Sequence, residues 1–150
     1  MKKAIDYPAV GVVFFCHDGK GKVLLGRRSR LARDEQGAWD PGGGGLHIGE
    51  RLLEALEREI DEEYGATIVD IVPLGYREVH RMHEGEKTHW ISFDYAVQVD
   101  PTTVTNREPA KCEKLEWFTF GNFPHPMHSQ WSVFLEKYQP LIQQLWSVRK

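Results

Sequence analysis

Hydrophobic and polar positions divide the chain into segments of two different periods. "AVGVVFF" (9–15) and "KVLLGRR" (22–28) are apolar-rich runs separated by Asp18-Gly19, a pair that favours a tight hairpin, and they read as two strands. "TIVDIVPLGYREVHR" (67–81) and "THWISFDYAVQV" (88–99) read as a second pair joined by a turn, "MHEGEK", with "LEWFTF" (115–120) as a further short strand. Between the two pairs the period changes. From Glu50 to Tyr64 the apolar residues fall at 52, 53, 56 and 60, the spacing of an amphipathic helix, and Gly65 is placed to cap it. The tail "WSVFLEKYQPLIQQLW" (131–146) is also helical, with Pro140 expected to kink or divide it. The polar, glycine-rich "LARDEQGAWDPGGGGLHIG" reads as a loop, as do "DPTTVTNREPAKCEK" and "GNFPHPMHSQ". Strands and helices mix without regular βαβ alternation, so the expectation is an α+β fold around a mixed sheet, with residues 1–150 as a single domain.

Composition narrows the setting. With 150 residues, 41% hydrophobic and 27% charged, the chain is of ordinary globular make-up. A formal charge of −3 argues against general affinity for nucleic acid or anionic membrane, and no nucleic-acid partner is expected. Lys2 and Lys3 precede an apolar run, as in an export signal, but Asp6 and Pro8 interrupt it and no small-residue cleavage site follows. No run approaches the roughly 20 apolar residues of a membrane span. Cys16 and Cys112, far apart, fit reduced thiols. A soluble, cytoplasmic protein is expected; homodimerisation stays open.

The candidate chemistry lies at the end of the first helix, in "EREIDEEYG" (57–65). With Leu52 at 0° and steps of about 100° per residue, Leu52, Leu53, Ala55, Leu56 and Ile60 form the core stripe, and Glu54, Glu57 and Asp61 lie opposite it. Glu59, Glu62 and Glu63 fall at about 340, 280 and 20°, on or beside that stripe. Three inward carboxylates at the negative end of a helix dipole either fray into water or gather a cation. Oxygen donors at i, i+3 and i+4 on one helix face suit a hard divalent ion such as Mg²⁺ or Mn²⁺.

Those residues extend into a longer pattern. Gly44, Glu50 and "REIDEEYGA" stand at the spacing G-x5-E-x7-R-E-U-x-E-E-x-G-U, where U is a bulky aliphatic residue. The chain therefore resembles the Nudix hydrolase family, in its MutT-like nucleotide diphosphatase branch; Ala66 is small where the pattern wants a larger aliphatic. The resemblance implies an α/β/α sandwich and Mg²⁺- or Mn²⁺-dependent hydrolysis of a nucleoside diphosphate linked to another group. By the same resemblance Glu59 and Glu63 bind metal, Glu62 binds it directly or through water, Glu50 bonds Arg58 or assists the base, and Arg58 orients the carboxylates. "TNREPAKCEKLEW" is similar to a loop of MutT-like enzymes that supplies a further glutamate, here Glu108, as ligand or base.

Substrate contacts are less marked in the sequence. Gly43 and Gly44 can approach a ligand closely, and Trp39 and Trp117 could stack on a base or serve as core aromatics. Of Arg27 and Arg28, alternate faces of a strand leave only one able to reach phosphate, and Arg28 is the candidate. His128, in a proline-ordered loop, could cover the site, whereas His80, His83 and His89 read as surface residues. The preferred substrate is a nucleoside triphosphate, cut to monophosphate and diphosphate. ADP-ribose or a nucleotide sugar is the rival, and a non-catalytic Nudix-fold binding module the competitor from another class. Intact box glutamates argue against that module, and neither cysteine suits an isopentenyl diphosphate isomerase.

Overall fold

A computed structural model describes residues 1–147. β1 (Ala9–His17) and β2 (Lys22–Arg28) are followed by β3 (Trp39–Asp40), β4 (Gly42–Gly45) and α1 (Leu52–Tyr64). Then come β5 (Ile68–His83), β6 (Glu86–Val99), a 3-10 turn at Pro101–Thr103, β7 (Cys112–Thr119) and α2 (Trp131–Ser147). Across the seven-stranded sheet the order is β3-β2-β1-β6-β5, with β4 also on β1 and β7 on β2. β1 and β6 run parallel and the other pairings antiparallel, so the sheet is mixed.

Strand alternation gives the sheet two apolar faces, and each takes one helix. Phe14, Tyr95 and Val97 pack with Ala55, Leu56 and Ile60 of α1. Their neighbours Phe15 and Ala96 face the other way, onto Phe134, Tyr138 and Ile142 of α2. The result is the expected α/β/α sandwich.

Several local expectations change. The glycine run is not all loop: Gly42–Gly45 is a strand, its residues opposite Phe14 to Gly11 of β1. The hairpin strands β5 and β6 extend to His83 and Glu86, leaving only Glu84 and Gly85 as the turn. β7 begins at Cys112, three residues before the apolar run announces it. Leu53 is 50% exposed rather than core, at the edge of the helix stripe, whereas Leu52 packs against the cluster and Tyr64 is buried. Pro140 does not divide α2. Pro140 and Glu136, whose carbonyl would have received the missing N–H, are both exposed, so water can satisfy it while Tyr138 and Ile142 hold the buried face. Gly65 is the left-handed C-cap of α1, φ 57°, its N–H donating to the carbonyls of Ile60 and Asp61.

Candidate active site

Arg58 organises the outer half of the site. Its guanidinium donates to both oxygens of Glu50 (Nε, 2.6 Å; Nη2, 2.9 Å), to Glu59 (2.8 Å), to Glu62 (3.3 Å) and to the Gly45 carbonyl (3.0 Å). One planar fork thus ties the loop after β4 to α1 and orients Glu59. The bidentate bond to Arg58 and a bond from the His47 N–H (2.8 Å) hold the Glu50 carboxyl down at about 2. Glu59 then lies against β4. A Cβ on Gly44 would stand 2.1 Å from the Glu59 carboxyl carbon, so the strand must be glycine here for the carboxylate to fit.

The inner half is built by the end of α1. Its last carbonyls need donors, and the loop before β7 supplies them: Thr105 N–H to Tyr64 O (2.9 Å) and Arg107 N–H to Glu63 O (3.0 Å). That docking delivers Glu108 beside Glu63. Glu108 is fixed by its own N–H on Asn106 (3.1 Å) and by Lys111, 3.3 Å from its carboxylate. Glu63 is different. Its Oε2 is out of contact with water and has no hydrogen-bond partner among the described residues. Burial raises its carboxyl well above the usual range, and the charges of Glu59, Glu108 and Asp40 push it further. Asp40 is likewise raised to about 7 by burial, against the pull of Arg28 and with a push from Glu35 and Asp34. Glu59, Glu63, Glu108 and Lys111 border a cavity of about 290 Å³ floored by the glycine strand.

A second cavity, about 330 Å³, lies beyond that strand and shares Arg28, Asp40, Glu63 and Gly42–Gly45 with the first. Its far wall is β5 and β6, with Arg77, Arg81 and Trp90. Arg77 is buried but its charge is paired, donating to both oxygens of Asp94 (2.7 and 2.9 Å), which also accepts from Ser92 (2.9 Å) and Tyr138 (2.6 Å). Across the mouth, Glu35 joins Arg81, His128 (3.0 Å) and the Ser129 N–H (2.7 Å).

A NUDIX domain model matches residues 7–138. The chain belongs to the Nudix family of hydrolases. It is 34% identical over 116 residues to an RNA pyrophosphohydrolase of Caulobacter vibrioides, covering 75% of this chain and 56% of that protein. The chain thus spans about half the length of the curated relatives it matches. A MutT Nudix hydrolase from Burkholderia pseudomallei superposes with a TM-score of 0.76 at 28% identity, covering 87% of this chain and 98% of that one. A MutT/nudix family protein from Enterococcus faecalis shares the fold (TM-score 0.72, 14% identity, 91% of this chain and 63% of that one).

The Nudix box residues Gly44, Glu59 and Glu63 meet Glu108 at one cavity, with Glu50 and Arg58 behind Glu59. Glu62 does not join them: its side chain is 50% exposed, borders neither cavity and reaches only Arg58. Arg28, Gly43 and His128 border the second cavity, although Arg28 is engaged by Asp34 (2.9 Å) and His128 by Glu35. Arg27 and Arg28 both border the first, because a bulge between them breaks the alternation that was to separate them. Trp39 and Trp117 line neither cavity. Trp39 is buried edge-on against Phe118, and Trp117 packs on the core beneath α1. Sequence reading missed Asp40, Arg77, Arg81, Trp90 and Lys111. The one signal that could have pointed to Arg77 was Asp94, a lone carboxylate inside an apolar strand, and it was not read.

No helix among the described residues is long and apolar enough to cross a membrane.

Proposed function

We propose that the protein hydrolyses a phosphoanhydride of a nucleoside 5′-triphosphate with the help of a divalent cation, releasing nucleoside monophosphate and diphosphate. The observation that carries this reading is the Glu63 Oε2, buried and unpartnered beside Glu59 and Glu108. A group so placed is costly unless a cation completes it. The donors are all carboxylate oxygens, which fits Mg²⁺ or Mn²⁺, and Glu59 and Glu63 would hold the ion, with Glu62 at the rim. When bound, the cation offsets charge gathering on the phosphoryl oxygens.

The chain's own groups have distinct tasks. Arg58, locked to Glu50, holds Glu59 in place. Lys111, at the cavity wall, meets a phosphate oxygen. Glu108 accepts the proton as a water forms its bond to one phosphorus and the bond from that phosphorus to the bridging oxygen breaks. The nucleoside extends into the second cavity, where Trp90 offers a ring face. A second reading, in which the triphosphate is the 5′ end of an RNA, is favoured by the relative from Caulobacter vibrioides, which is named an RNA pyrophosphohydrolase.

The test is a panel of nucleoside triphosphates, 5′-triphosphate RNA, ADP-ribose and nucleotide sugars, incubated with Mg²⁺ or Mn²⁺ and with wild type or Glu63→Gln. Diphosphate release from free nucleotides, reduced about 10²–10³-fold in the variant, is expected. Faster turnover of RNA ends selects the second reading, and exclusive turnover of diphosphate conjugates rejects both. Binding of a nucleotide without turnover of any compound would make the protein a ligand-binding module.

A further inference from the structure

One cluster of metal-competent side chains lies outside the carboxylate site. Glu78 and His80 are two apart on β5, and His89 stands directly across from His80 on β6. Arg77, Val79 and Arg81 line the second cavity, as do Thr88 and Trp90. Alternation therefore turns Glu78, His80 and His89 to the opposite face of the hairpin, together and away from the cleft. Their ligand atoms all lie within 4.8 Å of one another. The two imidazoles are 4.2 Å apart between ring centres, and His89 Nε2 is 3.5 Å from a Glu78 oxygen.

The second observation is on His89 itself. Its Nε2 is out of contact with solvent and has no hydrogen-bond partner among the described residues, although the ring as a whole is only partly covered. A shielded polar atom without a partner calls for a ligand, and the nearest groups are both metal donors. A tetrahedral ion with ligands at about 2.0–2.2 Å sets its donors roughly 3.4 Å apart. The Glu78 to His89 separation already matches that, and the longer separations close by side-chain rotation at half-exposed positions.

We propose that Glu78, His80 and His89 form a binding site for a borderline transition-metal ion, Zn²⁺ above all, separate from the carboxylate site. Donor chemistry keeps the two apart. Two neutral imidazoles and one carboxylate favour Zn²⁺, Ni²⁺ or Co²⁺, whereas an all-carboxylate site favours Mg²⁺ or Mn²⁺. Three protein donors leave one position for water. The ion would clamp β5 to β6 on the face opposite Arg77 and Arg81.

Calorimetric titration of Zn²⁺ in excess Mg²⁺ tests this, using wild type, Glu63→Gln, Glu78→Gln, His80→Ala and His89→Ala. One Zn²⁺ per chain is expected in wild type and in Glu63→Gln, with affinity reduced about tenfold or more in each hairpin variant. Glu78→Gln guards against misfolding, since Glu78 is largely exposed and its loss should leave the melting temperature unchanged. Wild-type affinity in all the hairpin variants, no Zn²⁺ binding at micromolar concentration, or loss confined to Glu63→Gln would each overturn the proposal.

Discussion

Asp94 and Glu63 are both carboxylates removed from water beside the same cleft, yet the chain treats them in opposite ways. Asp94 receives two bonds from Arg77, one from Ser92 and one from Tyr138, which fills its acceptor capacity. Glu63 keeps one oxygen with no partner and is surrounded by further acids. Folding alone accounts for the first: two strands and a helix converge on one charge and satisfy it. It does not account for the second, which the fold tolerates only at a cost. A buried charge that is completed marks architecture, and one left incomplete marks a place for something else to bind.

If that contrast holds, removing Asp94 should be the most damaging change to stability. Asp94→Ala strands the Arg77 guanidinium, and breaking a buried pair by deleting one partner costs about 3–5 kcal/mol. For a chain of this size that is a fall in melting temperature of roughly 6–20 °C, read by thermal denaturation. A fall under about 2 °C would mean that Arg77 finds water through the adjoining cavity, and the network would lose its structural status.

Next in size is a change to the glycine strand. Gly44→Ala puts a methyl where the Glu59 carboxyl stands, and the side chain must leave or β4 must shift. Overpacking of this kind costs about 1–3 kcal/mol. Turnover should fall about tenfold or more while Asp94 and its partners are untouched. Unchanged turnover would show that the position of Glu59 against β4 is not required.

The same contrast predicts a pH profile. Glu63 and Asp40 hold protons to higher pH in the folded chain than in the unfolded one, Asp40 to about 7. The stability they contribute is therefore complete below the ordinary carboxylate range and lost as pH rises through their folded values. Glu50 runs the other way: held at about 2, its contribution is present above the ordinary 4.5 and lost as pH falls toward 2. In chelator, the melting temperature should peak on the acid side of neutrality and decline toward pH 8. Glu63→Gln should flatten that decline, and Mg²⁺ should reverse it in wild type by binding the native state. A profile that rises steadily to pH 8 in chelator would contradict the assignment of Glu63 as incomplete.

How much of this could be read beforehand depended on whether a feature was local. The inward turn of Glu59 and Glu63 follows from fixed angular steps along one helix, and it was legible. The strand Gly42–Gly45 was not, because glycines carry no alternation and the pairing partner, β1, lies some thirty residues earlier. Asp94, a carboxylate in an apolar strand, went unremarked, and the strand alone could not have named its partner. Arg77 and Tyr138 are fixed by the β5–β6 register and by the seating of α2, both long-range facts. Trp39 beside the glycines could be read as a ligand platform or a core aromatic, and only the seating of α2 decides for the core.

The smallest expected effect concerns Glu62, which the helix steps place beside the core stripe and the structure turns outward. It stands between the two kinds of carboxylate: charged, half exposed and loosely held by Arg58 at 3.3 Å. Such a pair contributes at most about 1 kcal/mol, so Glu62→Gln should leave the melting temperature within about 2–4 °C of wild type. Its loss of turnover should be about tenfold smaller than that of Glu63→Gln, because a rim carboxylate can hold a cation through water but is not the group that lacks a partner. Steady-state rates of the two variants at saturating Mg²⁺ decide it. Equal losses would mean that Glu62 swings in when the ion binds, and that burial in the cation-free fold does not rank the ligands.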